Sequence, residues 1–253
     1  MSYSDYRAKA REILKGRWKV VLAVTFVAAL LGGMVASSTF NIDLNLNEDH
    51  LQLMPQNVRD FFLRYLVFAG GVGGTLNLVH FILGGTVRLG YCKYLLKLHD
   101  GEEGEMNDLF SEFERFGDGF LLSLLTGIYV FLWTLLFIIP GIIASYRYAM
   151  APFIMEENPG MKPSEAINAS KEMMDGHKAE LFTLNLTFIG WHLLNGLTLG
   201  IGSLWLNPYL NVTKAVFYRD LSSKQIVVEQ TEVLPEETPE EIAEESPEIP
   251  TEE

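Results

Sequence analysis

Residues 120–155 run FLLSLLTGIYVFLWTLLFIIPGIIASYRYAMAPFIM. One charged residue, Arg147, interrupts them. The stretch shows neither the alternation of a half-buried strand nor the one-sided stripe of a water-soluble helix. As a single helix its 36 residues would reach about 54 Å, well beyond a hydrocarbon core of about 30 Å. Pro140-Gly141 divides it. Proline stops a helix and glycine supplies turn geometry, so the sequence predicts two antiparallel spans, 120–139 and 141–157, joined by a tight turn at Pro140-Gly141.

The same design recurs downstream. Residues 180–198 form an apolar block, Gly200-Ile201-Gly202 breaks it, and 203–219 returns. The return contains Asn207, Pro208, Asn211 and Lys214, so it is read as a full crossing or as a half-inserted segment, the latter giving five spans. Upstream, 18–38 and 65–90 complete the set. The second of these holds Gly70, Gly71, Gly73, Gly74, Gly84 and Gly85, residues that let membrane helices approach closely. Its GGVGG run lacks the lysine and the strand–loop–helix setting of a phosphate loop. The expected fold is an all-α membrane protein, with about six transmembrane helices in three hairpins and short amphipathic cytoplasmic helices. It occupies residues 1–223 and is followed by a disordered acidic tail, 224–253.

Six basic residues, Arg7 to Lys19, precede the first block. The block is longer than a secretory h-region, which favours a retained helix over a cleaved signal. Tyr6, Ala10, Ile13, Leu14 and Trp18 share one face of a helix over 1–19, able to lie on an anionic leaflet or to extend the first span into solvent.

The net charge of -13 is concentrated at one end. Residues 225–253 hold eleven Glu and no Lys or Arg, leaving 21 acidic and 19 basic residues in the body. No basic nucleic-acid surface is implied. The Pro-interrupted acidic tail buries too little apolar area to fold. Cys92 is the single cysteine, which excludes an intrachain disulfide and a cysteine-based zinc site. Lys and Arg in short loops set topology. They crowd the N-terminus, 88–119, 156–179 and 214–224, whereas the opposite side has Arg59 and Arg64 alone. Both termini are therefore expected in the cytoplasm and the protein in the cell membrane.

Two cytoplasmic segments carry helical stripes. Met106, Leu109, Phe110, Phe113 and Phe116 alternate with Glu105, Asp108, Glu112 and Glu114. A second helix begins at Pro163 and ends before Gly176, with Ala166, Ile167, Met173 and Met174 on its apolar face. Each stripe packs on its own protein or docks a partner, and Leu109, Phe110 and Phe113 are the candidate docking face.

Residues 61–98, 120–155 and 181–218 contain no Asp or Glu, which removes the usual carboxylates of proton-coupled transport, oxygen-ligated metals and acid–base catalysis. No nucleophile–base or metal signature is present either, so no catalytic, cofactor or metal residue is assigned. Arg147, about six residues past the turn and hence roughly 9 Å below the outer surface, is the candidate anion or lipid contact, flanked by Tyr146 and Tyr148. Its alternative is to snorkel outward. Asn77, His80, Asn185, His192 and Asn195 are candidate interhelical polar contacts.

Several runs together resemble a known family. They are Ala8-Lys9, Leu14-Lys15-Gly16-Arg17-Trp18, Ile139-Pro140-Gly141-Ile142-Ile143, Tyr146-Arg147-Tyr148 and Glu165-Ala166-Ile167. Ser170-Lys171-Glu172-Met173-Met174, Gly176-His177-Lys178, Ile189-Gly190-Trp191, Pro208-Tyr209, Ala215 and Phe217-Tyr218 continue the pattern. The chain, over most of 4–221, resembles the bacterial integral membrane family known as domain of unknown function 975. The resemblance implies a multi-pass membrane fold and carries over no activity. Three functional readings follow: a non-enzymatic scaffold, assembly or regulatory factor with a membrane or cytoplasmic protein partner; a small-solute or lipid transporter or binder using Arg147; or a membrane-embedded enzyme, which would need His80 or His192 beside a Ser and an oxyanion donor. Membrane lipids are expected partners in the first two.

Overall fold

The computed structural model describes residues 1–32, 79–198 and 200–233. Expectations for 33–38, 65–78 with Asn77, the loop holding Arg59 and Arg64, and 234–253 lie outside the described residues. Within them every regular element is a helix. In chain order these are α1 (Tyr3–Leu14), α2 (Trp18–Leu30), α3 (described over 79–99) and α4 (Asp108–Ser111). Then come a 3-10 turn (Glu112–Arg115), α5 (Phe116–Leu136), α6 (Ile138–Arg147), α7 (Ala151–Glu157), α8 (Pro163–Met173), α9 (Lys178–Leu186), α10 (Ile189–Leu197) and α11 (Ser203–Val233).

A reciprocal cap starts α1. The Asp5 amide donates to Ser2 Oγ at 3.3 Å and the Ser2 amide donates to Asp5 Oδ2 at 2.9 Å, satisfying two of the four free amides of a helix start. The expected apolar face is real, and it packs on α11. Tyr6, Ala10 and Leu14 are buried, the Tyr6 ring sits 5.5 Å from Phe217 on α11, and the Tyr209 hydroxyl donates to the Arg7 carbonyl at 3.2 Å.

The central hairpin turns at a different residue from the one expected. The break falls at Phe137, whose backbone is extended (φ -158°, ψ 150°). Pro140-Gly141 lies inside the first turn of α6. Proline is at home there because the amide it lacks would have had no intrahelical partner. Gly141 lets α6 press on α5, since a Cβ at that position would stand 2.8 Å from Thr134 Cα. The arms run Phe116–Leu136 and, with a turn at 148–150, Ile138–Glu157.

Three further boundaries differ. The block 180–198 is two helices, α9 and α10, separated at Thr187-Phe188. The block 203–219 is the start of a single helix that passes through Pro208 and continues to Val233. It therefore enters the segment expected to be disordered from 224. On the other side, α3 runs nine residues beyond the expected end at Gly90, to His99.

Close approach of backbones sets the α3–α5 crossing. A Cβ on Gly85 would stand 2.7 Å from the Gly119 carbonyl carbon, and one on Gly119 would stand 2.8 Å from Thr86 Cα. The Thr86 hydroxyl donates to the Phe116 carbonyl at 3.2 Å in the same contact. This is the role expected for glycine in the second block.

Apolar residues separate into two populations. Val87, Leu95, Met150, Phe153, Ile167, Leu184, Val216 and Phe217 belong to a buried core. From Phe131 through Ile139 every side chain is exposed, with Leu135 and Ile138 above 70%. Leu193, Leu197 and Ile201 near the α10–α11 turn are similarly open. Arg219 marks the opposite end. It donates to Glu157 at the end of α7 and to Asp100 just past α3, so three helices are tied at one end. At 1.5 Å per residue the exposed tips near 79, 138 and 203 lie about 25–30 Å away. Two stretches, Asp108–Leu136 and Ile138–Glu157, are long and apolar enough to cross a membrane by length and composition.

Candidate functional site

The tied end is built from matched charges. Lys93 and Lys97 are one turn apart on α3, and Asp108 and Glu112 are one turn apart on α4 and the 3-10 turn that follows. They meet as rungs of a ladder, with Lys97 Nζ 2.6 Å from Asp108 Oδ1 and Lys93 Nζ 2.8 Å from Glu112 Oε1. Arg115 adds a contact to Glu112 at 3.2 Å and donates to the Met155 carbonyl at 3.3 Å. Glu156 lies 3.9 Å from Lys93. Gly90 admits the α4 backbone, since a Cβ there would stand 2.6 Å from the Asp108 carbonyl oxygen. Burial works against the charged form of Lys93, but the Glu112 carboxylate outweighs it and holds the ammonium above its ordinary range.

This ladder turns part of the 106–116 segment over. Asp108 and Glu112 are buried while Glu105 and Glu114 stay exposed, and part of the apolar side faces out. Phe110 and Phe113 are 41% and 36% exposed with rings 5.9 Å apart, and Met106 is open beside them. Leu109, expected on the same docking face, is fully buried. It belongs to the buried core, so the open patch reduces to Met106, Phe110 and Phe113. The second stripe packs as expected: Ala166, Ile167, Met173 and Met174 are buried, and Gly176 ends the turn at φ +77°.

Arg147 is not set among apolar side chains at depth. It ends α6 beside α8, in a surface concavity of about 330 Å³ that it shares with Asn168, Lys171, Glu172 and Asp175. Its carbonyl accepts from the Ser170 hydroxyl at 3.0 Å, and its Nε is buried with no hydrogen-bond partner. Both signs of charge line this concavity, which weakens its pull on an anion. Tyr146 and Tyr148 diverge from Arg147. Tyr146 packs edge-on against Phe182 at 5.8 Å and accepts from Asn185 Nδ2 at 3.2 Å. Tyr148 turns to α5, 5.9 Å from Tyr129.

The polar candidates separate in the same way. Asn185 makes an interhelical bond, as does His80, whose Nε2 lies 2.5 Å from the Leu30 carbonyl oxygen. His192 is exposed beside Tyr146, Phe182 and Asn185, and Asn195 lies in the last turn of α10, its carbonyl accepting from the Gly200 amide at 2.9 Å. The two histidines line separate concavities. Among the described residues no three His, Cys, Asp or Glu come together to hold a metal ion. Cys92 is buried.

Sequence reading missed the rungs, the Arg219 clamp, and the place of Arg88 on α3. The i,i+4 spacing of Lys93/Lys97 against Asp108/Glu112 was the available signal. The Arg219 clamp joins residues 62 and 119 positions apart, and no local pattern announces it.

A family model described as a protein of unknown function (DUF975) matches residues 1–144 and 134–225. No curated protein and no solved structure matches the chain.

Proposed function

The chain belongs to the DUF975 family of proteins of unknown function, and on that footing we propose that it is a multi-pass membrane protein acting as a non-enzymatic scaffold or assembly factor. Its exposed apolar tips sit in lipid, and its ion-paired end, with both termini, lies in the cytoplasm. Six crossings in three hairpins remain the proposed topology. The Met1 amine lies 3.7 Å from Asp220 on α11, which supports placing the N-terminus and the end of α11 on one side. The Lys and Arg of 88–119 and 156–179 support making that side cytoplasmic.

The observation that carries the scaffold reading is the outward-facing pair Phe110 and Phe113. A segment that turns Asp108 and Glu112 into its own fold and leaves two neighbouring phenylalanines open presents a compact apolar patch for a protein partner. Co-purification from mild detergent tests this. A stoichiometric partner is expected with the native chain and is expected to be lost when Phe110→Ser and Phe113→Ser are combined, with thermal stability retained. A partner that survives the double substitution, or recovery of the chain alone in repeated preparations, overturns the reading.

A further inference from the structure

A cleft of about 670 Å³ opens between the end of α2, α3, α5 and α6, within the range of small-molecule and lipid sites. Its walls are mostly apolar, with Phe120, Leu124, Val130 and Phe131 from α5 and Phe81 from α3. Arg88 stands at one end. The Thr86 hydroxyl bonds to the Phe116 carbonyl, which puts Arg88 near the level of the first turn of α5. Asp118 in that turn is still half-exposed and pairs with Arg115 at 3.9 Å. Beyond Asp118, α5 carries no charge. Arg88 therefore marks the boundary between the polar end and the apolar length of the bundle. Arg88 makes no ion pair among the described residues, whereas Lys93, Lys97, Arg115 and Arg219 all do.

A cation without a carboxylate partner attracts an anion, and the apolar walls accept a hydrocarbon chain. We infer that this cleft holds one anionic phospholipid, its phosphate at Arg88 and an acyl chain along α5 between Phe120 and Phe131. The inference rests on the reading that the apolar tips lie in lipid, and it is independent of the Phe110–Phe113 patch.

Native mass spectrometry of detergent-purified protein offered phosphatidylglycerol or phosphatidylcholine provides the test. One phosphatidylglycerol per chain is expected to survive desolvation, at least ten-fold in preference to phosphatidylcholine. Arg88→Gln is expected to abolish the preference, Arg88→Lys to retain most of it, and Lys171→Gln, outside the cleft, to leave it intact. Gly127→Leu fills open space in the cleft, because nothing lies within 4 Å of a Cβ there, and is expected to expel the lipid with Arg88 in place. Equal retention of the two lipids, unchanged binding in Arg88→Gln or Gly127→Leu, or full displacement by inorganic phosphate would each overturn the proposal. Should Arg88→Gln not fold, Arg88→Lys and Gly127→Leu still decide it. Loss of lipid preference in a chain that still needs detergent refutes this site alone. A chain that is monomeric without detergent refutes the membrane reading itself.

Discussion

Arg219 on α11 donates to Glu157 across 62 positions of sequence, and its other terminal nitrogen reaches Asp100. One guanidinium thus gathers the ends of α3 and α7 against α11. Arginine suits the task because its planar fork serves two carboxylates at once, which a lysine ammonium does not match. The side chains are about one-quarter exposed on Arg219 and Glu157, so solvent moderates the pair. Arg219→Lys is expected to lower the melting temperature in detergent by a few degrees, corresponding to about 1 kcal/mol. Glu157→Gln should cost little more once Arg219 is gone, and additive losses in the double variant would show that the two do not act together.

The α3–α4 ladder is better shielded. Removing one member leaves a charged partner in a half-buried site, so Asp108→Ala is expected to destabilise by about 2–3 kcal/mol. The exchanged pair Lys97→Asp with Asp108→Lys is expected to recover part of that loss. Thermal unfolding in detergent reads both, and an exchanged pair less stable than either single variant would contradict the pairing.

Gly85 and Gly119 meet where two helices cross, and no side chain can be added without moving a backbone. Gly85→Leu is expected to prevent stable assembly of α3 on α5, seen as a loss of monodisperse protein on size exclusion. Gly117→Leu, where nothing lies within 4 Å of a Cβ, is the matched control and should behave as the native chain. Equivalent behaviour of the two variants would remove the crossing from the account.

Docking of α1 depends on Asp220. Burial raises the Asp220 carboxyl, but hydrogen bonds from Tyr6 and Lys224 outweigh it and hold it below the usual 3.8. Tyr6 is pushed up by its burial and by the same carboxylate. A carboxyl depressed in the folded state contributes stability that is present above its unfolded value and lost as pH falls through its folded value. Hydrogen exchange over Tyr3–Leu14 is therefore expected to quicken below about pH 4, beyond the intrinsic rate change. Asp220→Asn should exchange fast at neutral pH and lose the acid dependence. An unchanged profile in that variant would assign the docking of α1 to its apolar face alone.

Much of the helical architecture could be read from residue patterns, because long apolar blocks and glycine-marked breaks are local features. The position of the central turn could not. Pro140 is compatible both with the end of one helix and with the first turn of the next, and the packing of Gly141 on Thr134 selects the second. The faces of α1 and α8 followed from 3.6-residue periodicity. The orientation of 106–116 did not, since its acidic and apolar stripes are equally regular. The facing lysines of α3 decide which one turns inward. Arg147 carried its charge in plain view, but its neighbours Glu172 and Asp175 come from α8 and the turn that follows it. Arg88 drew no notice in a count of basic residues, because the sequence does not show that the other cations of that loop are paired.

The central claim is that the exposed apolar tips are solvated by hydrocarbon while the ion-paired end is in water. A spin label at Phe131→Cys, in a Cys92→Ser chain reconstituted into liposomes, tests it most directly when compared with the same label at Ser111→Cys. The account predicts relaxation of the Phe131 label by dissolved oxygen and protection from a water-soluble nickel chelate, with the reverse at Ser111. Free access of the nickel chelate to position 131 would contradict it.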